Sequence, residues 1–381
     1  MKKILWPSWP NYTKKDILSV IRVVKSNQIF AAHEVKKFEN QFSRYNNSKY
    51  VKAVGNATQG LHLALSALEI GYGDEVIVTN YSWISTASCI LMQNAKPVFV
   101  DIELDTLGLD PNKIERAITK NTKAIIAVHM FGNPCKIDQI KKIANKYKIY
   151  LIEDASHAHG AKFNNVKVGN FSDIAVFSCH QRKNLSSGEG GLVICKNKKL
   201  DKRIHQLRSF GEKKLSYNYR MTEFCAAIGQ NSLKKLNLEN NYRVKNIIFL
   251  LKKFPEEKYF KIILPQKNCT TTFYKLPLIY EYKNFKKNLN FFIKYMNKLE
   301  IPFSHAYTPL SHHSNFNINK KKNKSFPNID LNYKKQRNFK NTFDICYNKL
   351  TELSIHRPVG KYHLNYLIKN LKIYINKYGL K

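Results

Sequence analysis

Through about residue 200 this chain alternates short apolar runs with longer amphipathic stretches, a rhythm that few architectures accept. The apolar runs predict strands over 49–54, 75–79, 97–101, 123–128, 149–153, 173–177 and 192–195. Helical periodicity predicts helices over 14–27, 34–45, 58–69, 84–93, 111–119 and 136–147, the first opened by Thr13 and Asp16 as a capping box. Strands separated by helices imply right-handed crossovers, so the expected class is α/β: a mostly parallel seven-stranded sheet flanked by helices. Residues 200–250 read as helical and complete a large domain over 1–250. Residues 251–381 carry aromatic-rich strands such as 271–280 and a closing helix at 361–377, and read as a smaller C-terminal α/β domain. No internal repeat is visible.

In open α/β sheets functional groups gather where strands end. The run 150–153 delivers Asp154, followed by Ala155, Ser156, His157, Ala158, His159 and Gly160. About thirty residues later the run 178–191 reads SCHQRKNLSSGEGG, with Lys183 framed by polar residues and a glycine-rich turn. A lysine that forms a Schiff base needs such a setting, because its amine must be desolvated and partly uncharged to attack a carbonyl. A carboxylate at Asp154 suits the pyridinium nitrogen of pyridoxal 5'-phosphate (PLP), or it caps the next helix. The stretch Gly55, Asn56, Ala57, Thr58, Gln59 reads as a strand end, a turn and a helix start. Free amides at such a start cradle a phosphate, or Asn56 or Thr58 is an ordinary cap. Trp83, beyond the strand 75–79, either stacks on a flat ring or packs in the core.

Taken together, these runs resemble the PLP-dependent sugar aminotransferases of the DegT/StrS type, in the aspartate-aminotransferase-like superfamily of fold type I. The likeness also takes in 35–39 with Phe38 and Glu39, Val100 with Asp101, 127–134 with Gly132 and Pro134, and 217–223 with Ala226, Ala227 and Gly229. It implies that Lys183 bonds covalently to PLP and carries protons, and that Asp154 pairs with the ring nitrogen. It places Trp83 on the ring face, His157 near the ring hydroxyl, and Ala57, Thr58, Gln59 and Ser178 around the phosphate. Asn218 corresponds to an asparagine that reaches the cofactor of the neighbouring subunit, which implies a homodimer with shared active sites.

The resemblance further implies transfer of an amino group from L-glutamate, through the pyridoxamine form (PMP), to a keto carbon of a sugar or sugar-like acceptor, probing amino-sugar or bacterial surface-polysaccharide synthesis. The acceptor expected is phosphorylated or nucleotide-linked; the alternatives are a keto-cyclitol or a triose phosphate. A dehydratase on this fold carries His at the lysine position, and Lys183 argues against it. His33, His180, Tyr307, His312, His313 and Arg357 fall where relatives shape the acceptor pocket, as do His305 and His356. Ala57 stands where relatives usually carry Gly, and the loop 29–33 lacks their glycines.

Composition narrows the rest. With 64 Lys and Arg against 27 Asp and Glu the net charge is +37, and over 251–381 the sequence holds 26 basic and 7 acidic residues. The basic residues are spread along the chain, with one dense run at 319–324 that reads as a loop, and no nucleic-acid-binding signature appears. A positive surface favours a phosphorylated substrate. Seven cysteines without CxxC spacing read as reduced thiols, and the scattered His and Cys predict no metal site. No apolar run of about twenty residues is present, and no apolar signal segment follows the first residues. The expected location is cytoplasmic, without membrane attachment.

Overall fold

The computed structural model describes residues 4–210, 215–318, 331–332 and 339–380. The basic run at 319–324 lies outside the described residues.

A seven-stranded sheet organises the first two hundred residues. Its strands are β1 (Tyr50–Val54), β2 (Glu75–Thr79), β3 (Lys96–Val100), β4 (Thr122–Val128), β5 (Tyr150–Asp154), β8 (Ile174–Ser178) and β9 (Gly191–Cys195); a small hairpin of β6 (Lys162–Phe163) and β7 (Val166–Lys167) intervenes. The order is β1-β9-β8-β5-β4-β2-β3. The β5–β8, β4–β5, β2–β4 and β2–β3 pairs are parallel, and β9 runs antiparallel between β8 and β1. The sheet is therefore mostly parallel, as expected.

Helices cover both faces because strand residues alternate. Val54, Val176 and Val193 face α3 (Ala57–Ala67), α4 (Ser85–Met92) and α7 (Lys198–Arg208). Val51, Ala53, Ala175 and Phe177 face α2 (His33–Asn46) and α8 (Glu223–Leu251), where Phe38 and Phe42 are fully buried. Truncating either phenylalanine to alanine would cost about 3–5 kcal/mol. On the distal strands, Ile77, Ile125 and Leu151 pack against α6 (Ile137–Tyr147).

Local chemistry sets several boundaries. At α1 (Lys14–Lys25) the Thr13 amide and hydroxyl both donate to Asp16. The helix expected over 111–119 is shorter: α5 spans Pro111–Ile114, then tightens to a 3-10 turn over Glu115–Ala117 and ends at Ile118, which is extended. The start of α2 is capped from a distance. The Glu223 carboxylate accepts the amides of Ala32, Glu34 and Val35 at 2.8, 2.6 and 2.9 Å, which ties the loop 29–33 to the segment around Asn218.

The C-terminal region holds the antiparallel sheet β10-β12-β16-β13: β10 (Phe260–Ile262), β12 (Leu276–Tyr280), β13 (Ser304–His305) and β16 (Leu350–Leu353). Short β11 (Cys269–Thr270) joins β6, and β14 (Asn317–Ile318) pairs with β15 (Leu331–Asn332). Helices α9 (Leu289–Asn297), α10 (Lys340–Asp344) and α11 (Lys361–Tyr378) complete it. The two cores exchange residues. Trp6, Ile247 and Leu250 pack into the C-terminal core, whereas Leu310, Phe316 and Phe339 pack under the large sheet. Among the described residues, no helix is long and apolar enough to cross a membrane.

Candidate active site

A cavity of about 530 Å3 opens at the C-terminal ends of the parallel strands. Its floor comes from the large sheet and one wall from the C-terminal sheet. Ser178 ends β8, Asp154 ends β5, and Asn56, Ala57 and Thr58 begin α3; all line it.

The lysine loop is held from both ends. The Cys179 amide donates to the Gly190 carbonyl and the Ser187 amide to the Cys179 carbonyl, each at 2.8 Å, and the Lys183 amide donates to the His180 carbonyl at 2.8 Å. Asn184 Nδ2 reaches Asn240 Oδ1 at 3.0 Å and the Thr272 carbonyl at 3.3 Å. Two glycines are required here. Gly188 sits at φ +83°, and a Cβ on Gly191 would lie 2.9 Å from the Asn56 carbonyl carbon and 3.0 Å from the Ala57 nitrogen. The lysine loop and the start of α3 can therefore lie against one another only with glycine at position 191.

Lys183 Nζ points inward, 4.7 Å from the centre of the Tyr274 ring. Burial lowers its pKa to about 8, and the Asp154 carboxylate opposes that shift. At neutral pH a useful fraction of such an amine is uncharged. Asp154 is buried and held on both oxygens: Thr86 Oγ1 donates to Oδ2 at 2.8 Å and the Ser156 amide to Oδ1 at 3.2 Å. With its proton on Asp154, Thr86 must accept from Ser82 Oγ at 2.7 Å. A turn, not a helix, follows Asp154, so this carboxylate does not serve as a helix cap.

His157 is buried and stacks on Tyr274 with ring centroids 4.3 Å apart. Burial, followed by the nearby Lys183 and Lys275 charges, holds it well below the usual imidazole range, so the ring is neutral. Its Nδ1 has no hydrogen-bond partner among the described residues. At the cradle, Asn56 Oδ1 accepts the Gln59 amide at 2.9 Å and Thr58 Oγ1 donates to Ser85 Oγ at 2.7 Å. Ala57 opens α3 with ordinary helical backbone, so no glycine is needed there. Trp83, 55% exposed, stands at the mouth edge-on to Tyr307, with ring centroids 5.5 Å apart.

The structure gathers Ala57, Thr58, Trp83, Asp154, His157, Ser178, Lys183, His180 and Tyr307 around this cavity, with His305. Gln59, in the first turn of α3, does not line it, and Asn218 lies outside, its Oδ1 accepting from Arg220 Nε at 3.1 Å. Five of the expected acceptor residues do not line the cavity of this chain. His33 is exposed at the start of α2. His312 stacks on Phe343 and bonds Tyr347, and His313 packs against Phe316. Arg357 borders a separate cavity beside Trp9 and Glu239. His356 is buried against Trp9.

Sequence reading passed over Thr86, Tyr274, Lys275 and Glu352. Thr86 carried a signal, one helical turn beyond the polar strand end at Ser82. Tyr274 and Lys275 lie in the bend before β12, which is shorter than the strand expected over 271–280, and Glu352 lies in β16; neither segment bears a motif.

A part-neutral, half-buried lysine and an anchored carboxylate, beyond the strand ends of a mostly parallel sheet, are the equipment of an α/β enzyme acting on amines and carbonyls. The chain belongs to the DegT/DnrJ/EryC1/StrS aminotransferase family, whose sequence pattern matches residues 10–346. It is 35% identical over 357 residues to an uncharacterised protein of Methanocaldococcus jannaschii, covering 88% of this chain and 92% of that one. It is 38% identical over 235 residues to the GDP-perosamine synthase of Escherichia coli O157:H7, covering 59% of this chain and 65% of that enzyme. To the L-glutamine:2-deoxy-scyllo-inosose aminotransferase of Streptomyces paromomycinus it is 32% identical, covering 71% and 69%. Among solved structures, an aminotransferase from Psychrobacter cryohalolentis superposes with a TM-score of 0.86 at 26% identity, covering 97% of this chain and 99% of that one.

Proposed function

We propose that this aminotransferase uses PLP to move an amino group from L-glutamate to a keto carbon of a sugar or sugar-like acceptor. The carrying observation is that one cavity holds a half-buried lysine with a pKa lowered to about 8, an anchored carboxylate and a helix N-terminus. These residues fit the cofactor. The first-turn amides of α3 lack partners within the helix and, with Thr58 and Ser178, suit a phosphate. Asp154 suits the ring nitrogen, and the unpartnered Nδ1 of His157 suits the ring hydroxyl. When bound, PLP supplies an aldehyde that takes up amines and a ring that withdraws electrons from the neighbouring carbon.

The protein's own residues do the rest. Lys183 would hold the cofactor through its amine, part of which is uncharged at neutral pH, and would move a proton to and from the donor's α-carbon. Thr86 and the Ser156 amide hold Asp154 in orientation, and Trp83 with Tyr307 narrows the mouth against water. The likeness to a GDP-perosamine synthase supports a nucleotide-linked keto sugar as acceptor. That to the scyllo-inosose enzyme supports a keto-cyclitol as the second reading.

The working unit in this proposal is a homodimer. Asn218 lies beside exposed Phe30, Phe210 and Leu215, and Arg220 sits over the Phe210 ring at 4.9 Å and the Phe30 ring at 6.0 Å. This apolar edge adjoins the cradle, since the Gly55 amide donates to the Tyr219 carbonyl at 3.0 Å. A second copy covering it would bring Asn218 to its neighbour's phosphate.

The test is chemical. Protein loaded with PLP should show an absorbance band above the protein's own that borohydride abolishes. Peptide mapping should then place the pyridoxyl group on Lys183; a different lysine would refute the assignment.

A further inference from the structure

The cavity holds a second inward cation that the proposed chemistry leaves unused. Lys275 lies in β12's approach, beside Tyr274, with its side chain about one-fifth exposed. Its Nζ is 5.7 Å from the Tyr274 ring centre, and Lys183 Nζ is 4.7 Å from that same centre. Two ammonium groups thus share one tyrosine, close enough for a small substrate to touch both. Lys275 donates to Glu352 Oε1, which also accepts from Ser304 Oγ at 3.1 Å. Glu352 is buried and its Oε2 has no partner among the described residues. An ammonium has three N–H donors, and this pairing occupies one of them. The other cationic or basic side chains on the cavity wall, His180, Arg182 and His305, are half-buried or exposed.

An aminotransferase must admit two unlike substrates in turn. Its donor carries a carboxylate on the very carbon that reacts, whereas the keto carbon of a sugar has only carbon substituents, with hydroxyls on them. A cation set one ring-width from the reactive amine, and already neutralised by a buried partner, meets both demands. It binds the carboxylate through its free N–H groups and is not left unpaired when the carboxylate departs. Resting on the aminotransferase reading above, we infer that Lys275 anchors the α-carboxylate of the amino donor, with Glu352 as its standing counter-ion. That carboxylate is common to glutamate and glutamine, so the inference holds for either donor. The electrostatics agree in direction, since the Lys275 charge acts to lower Lys183 and His157.

The experiment compares L-glutamate with L-isoglutamine, whose α-carboxylate is an amide, in the donor half-reaction of the PLP-loaded protein. The wild type should prefer glutamate. Lys275→Met should lose on the order of 10- to 100-fold in apparent affinity for glutamate, the effect of one charge-assisted hydrogen bond. The limiting rate should change little, and isoglutamine should be nearly unaffected. Calorimetric titration with 2-methylglutamate, which cannot lose an α-proton, should show the same loss without turnover, and Lys275→Arg should recover part of it. Because Lys275→Met strands the Glu352 charge, the paired variant Lys275→Met/Glu352→Gln repeats the comparison in a neutral background. Equal losses for glutamate and isoglutamine, a wild type indifferent between them, or unchanged 2-methylglutamate affinity would each overturn the inference. A wild type that reacts with neither glutamate nor glutamine would instead remove the aminotransferase reading itself, and the anchor with it.

Discussion

The two sides of the cavity are built on different plans. The sheet side carries Asp154 and Ser178 at strand ends, Lys183 in the loop after β8, and the start of α3, each within a short continuous run. The opposite wall takes Tyr274, Lys275, Ser304, His305, Tyr307 and Glu352 from three separate stretches of the C-terminal region. Parallel strands all end on one side, so a motif at any strand end automatically faces the others. The antiparallel wall has no such bias, and its residues meet through the pairing of β12, β13 and β16 alone. In the proposed function the sheet side would carry the chemistry common to both half-reactions, and the wall would discriminate between substrates.

The sharpest way to break this division is Lys183→Ala. It should abolish turnover by several orders of magnitude while leaving PLP binding measurable by dialysis, because the cradle and Asp154 remain. Asp154→Asn is next: nearly isosteric, it removes the charge facing the ring nitrogen and should lower kcat about 100-fold or more. Near-native kcat in that variant would return Asp154 to a structural role. Mixing Lys183→Ala with Asn218→Ala chains should restore part of the activity once subunit exchange is verified, because one site in a mixed dimer has both native residues. An active monomer in sedimentation would exclude the shared site.

Smaller effects follow from electrostatics. The amine of Lys183 has a pKa near 8, below its ordinary value of 10.5. PLP capture by the apoprotein should rise as pH increases through about 8, as the uncharged amine becomes dominant. Removing the like charge in Lys275→Met should move that midpoint up, and removing the opposite charge in Glu352→Gln should move it down. Unshifted midpoints in both would show that the wall does not act on the sheet side. Thr86→Val should cost least, about tenfold in kcat, since Asp154 keeps its bond from Ser156.

Several features were legible in the chain alone because they are local. The alternation of periods marked all seven strands of the large sheet, and the run SCHQRKNLSSGEGG singled out Lys183 before any fold was known. The shortened α5 was not legible, since its tightening after Ile114 depends on packing beneath it. Nor was the capping of α2 by Glu223, a contact between residues nearly two hundred positions apart.

What the sequence determined by itself is what proximity along the chain can encode: the order of strands and helices, the strand-end polar groups, and the glycine-rich turn after Lys183. Only the tertiary structure decided that Tyr274, Lys275 and Glu352 enter the cavity while His33, His312, His313 and Arg357 stay away from this chain's own. The physical reason is that these positions are fixed by antiparallel pairing and by core packing across the two regions, where long-range contacts, not neighbouring residues, select which side chains face inward.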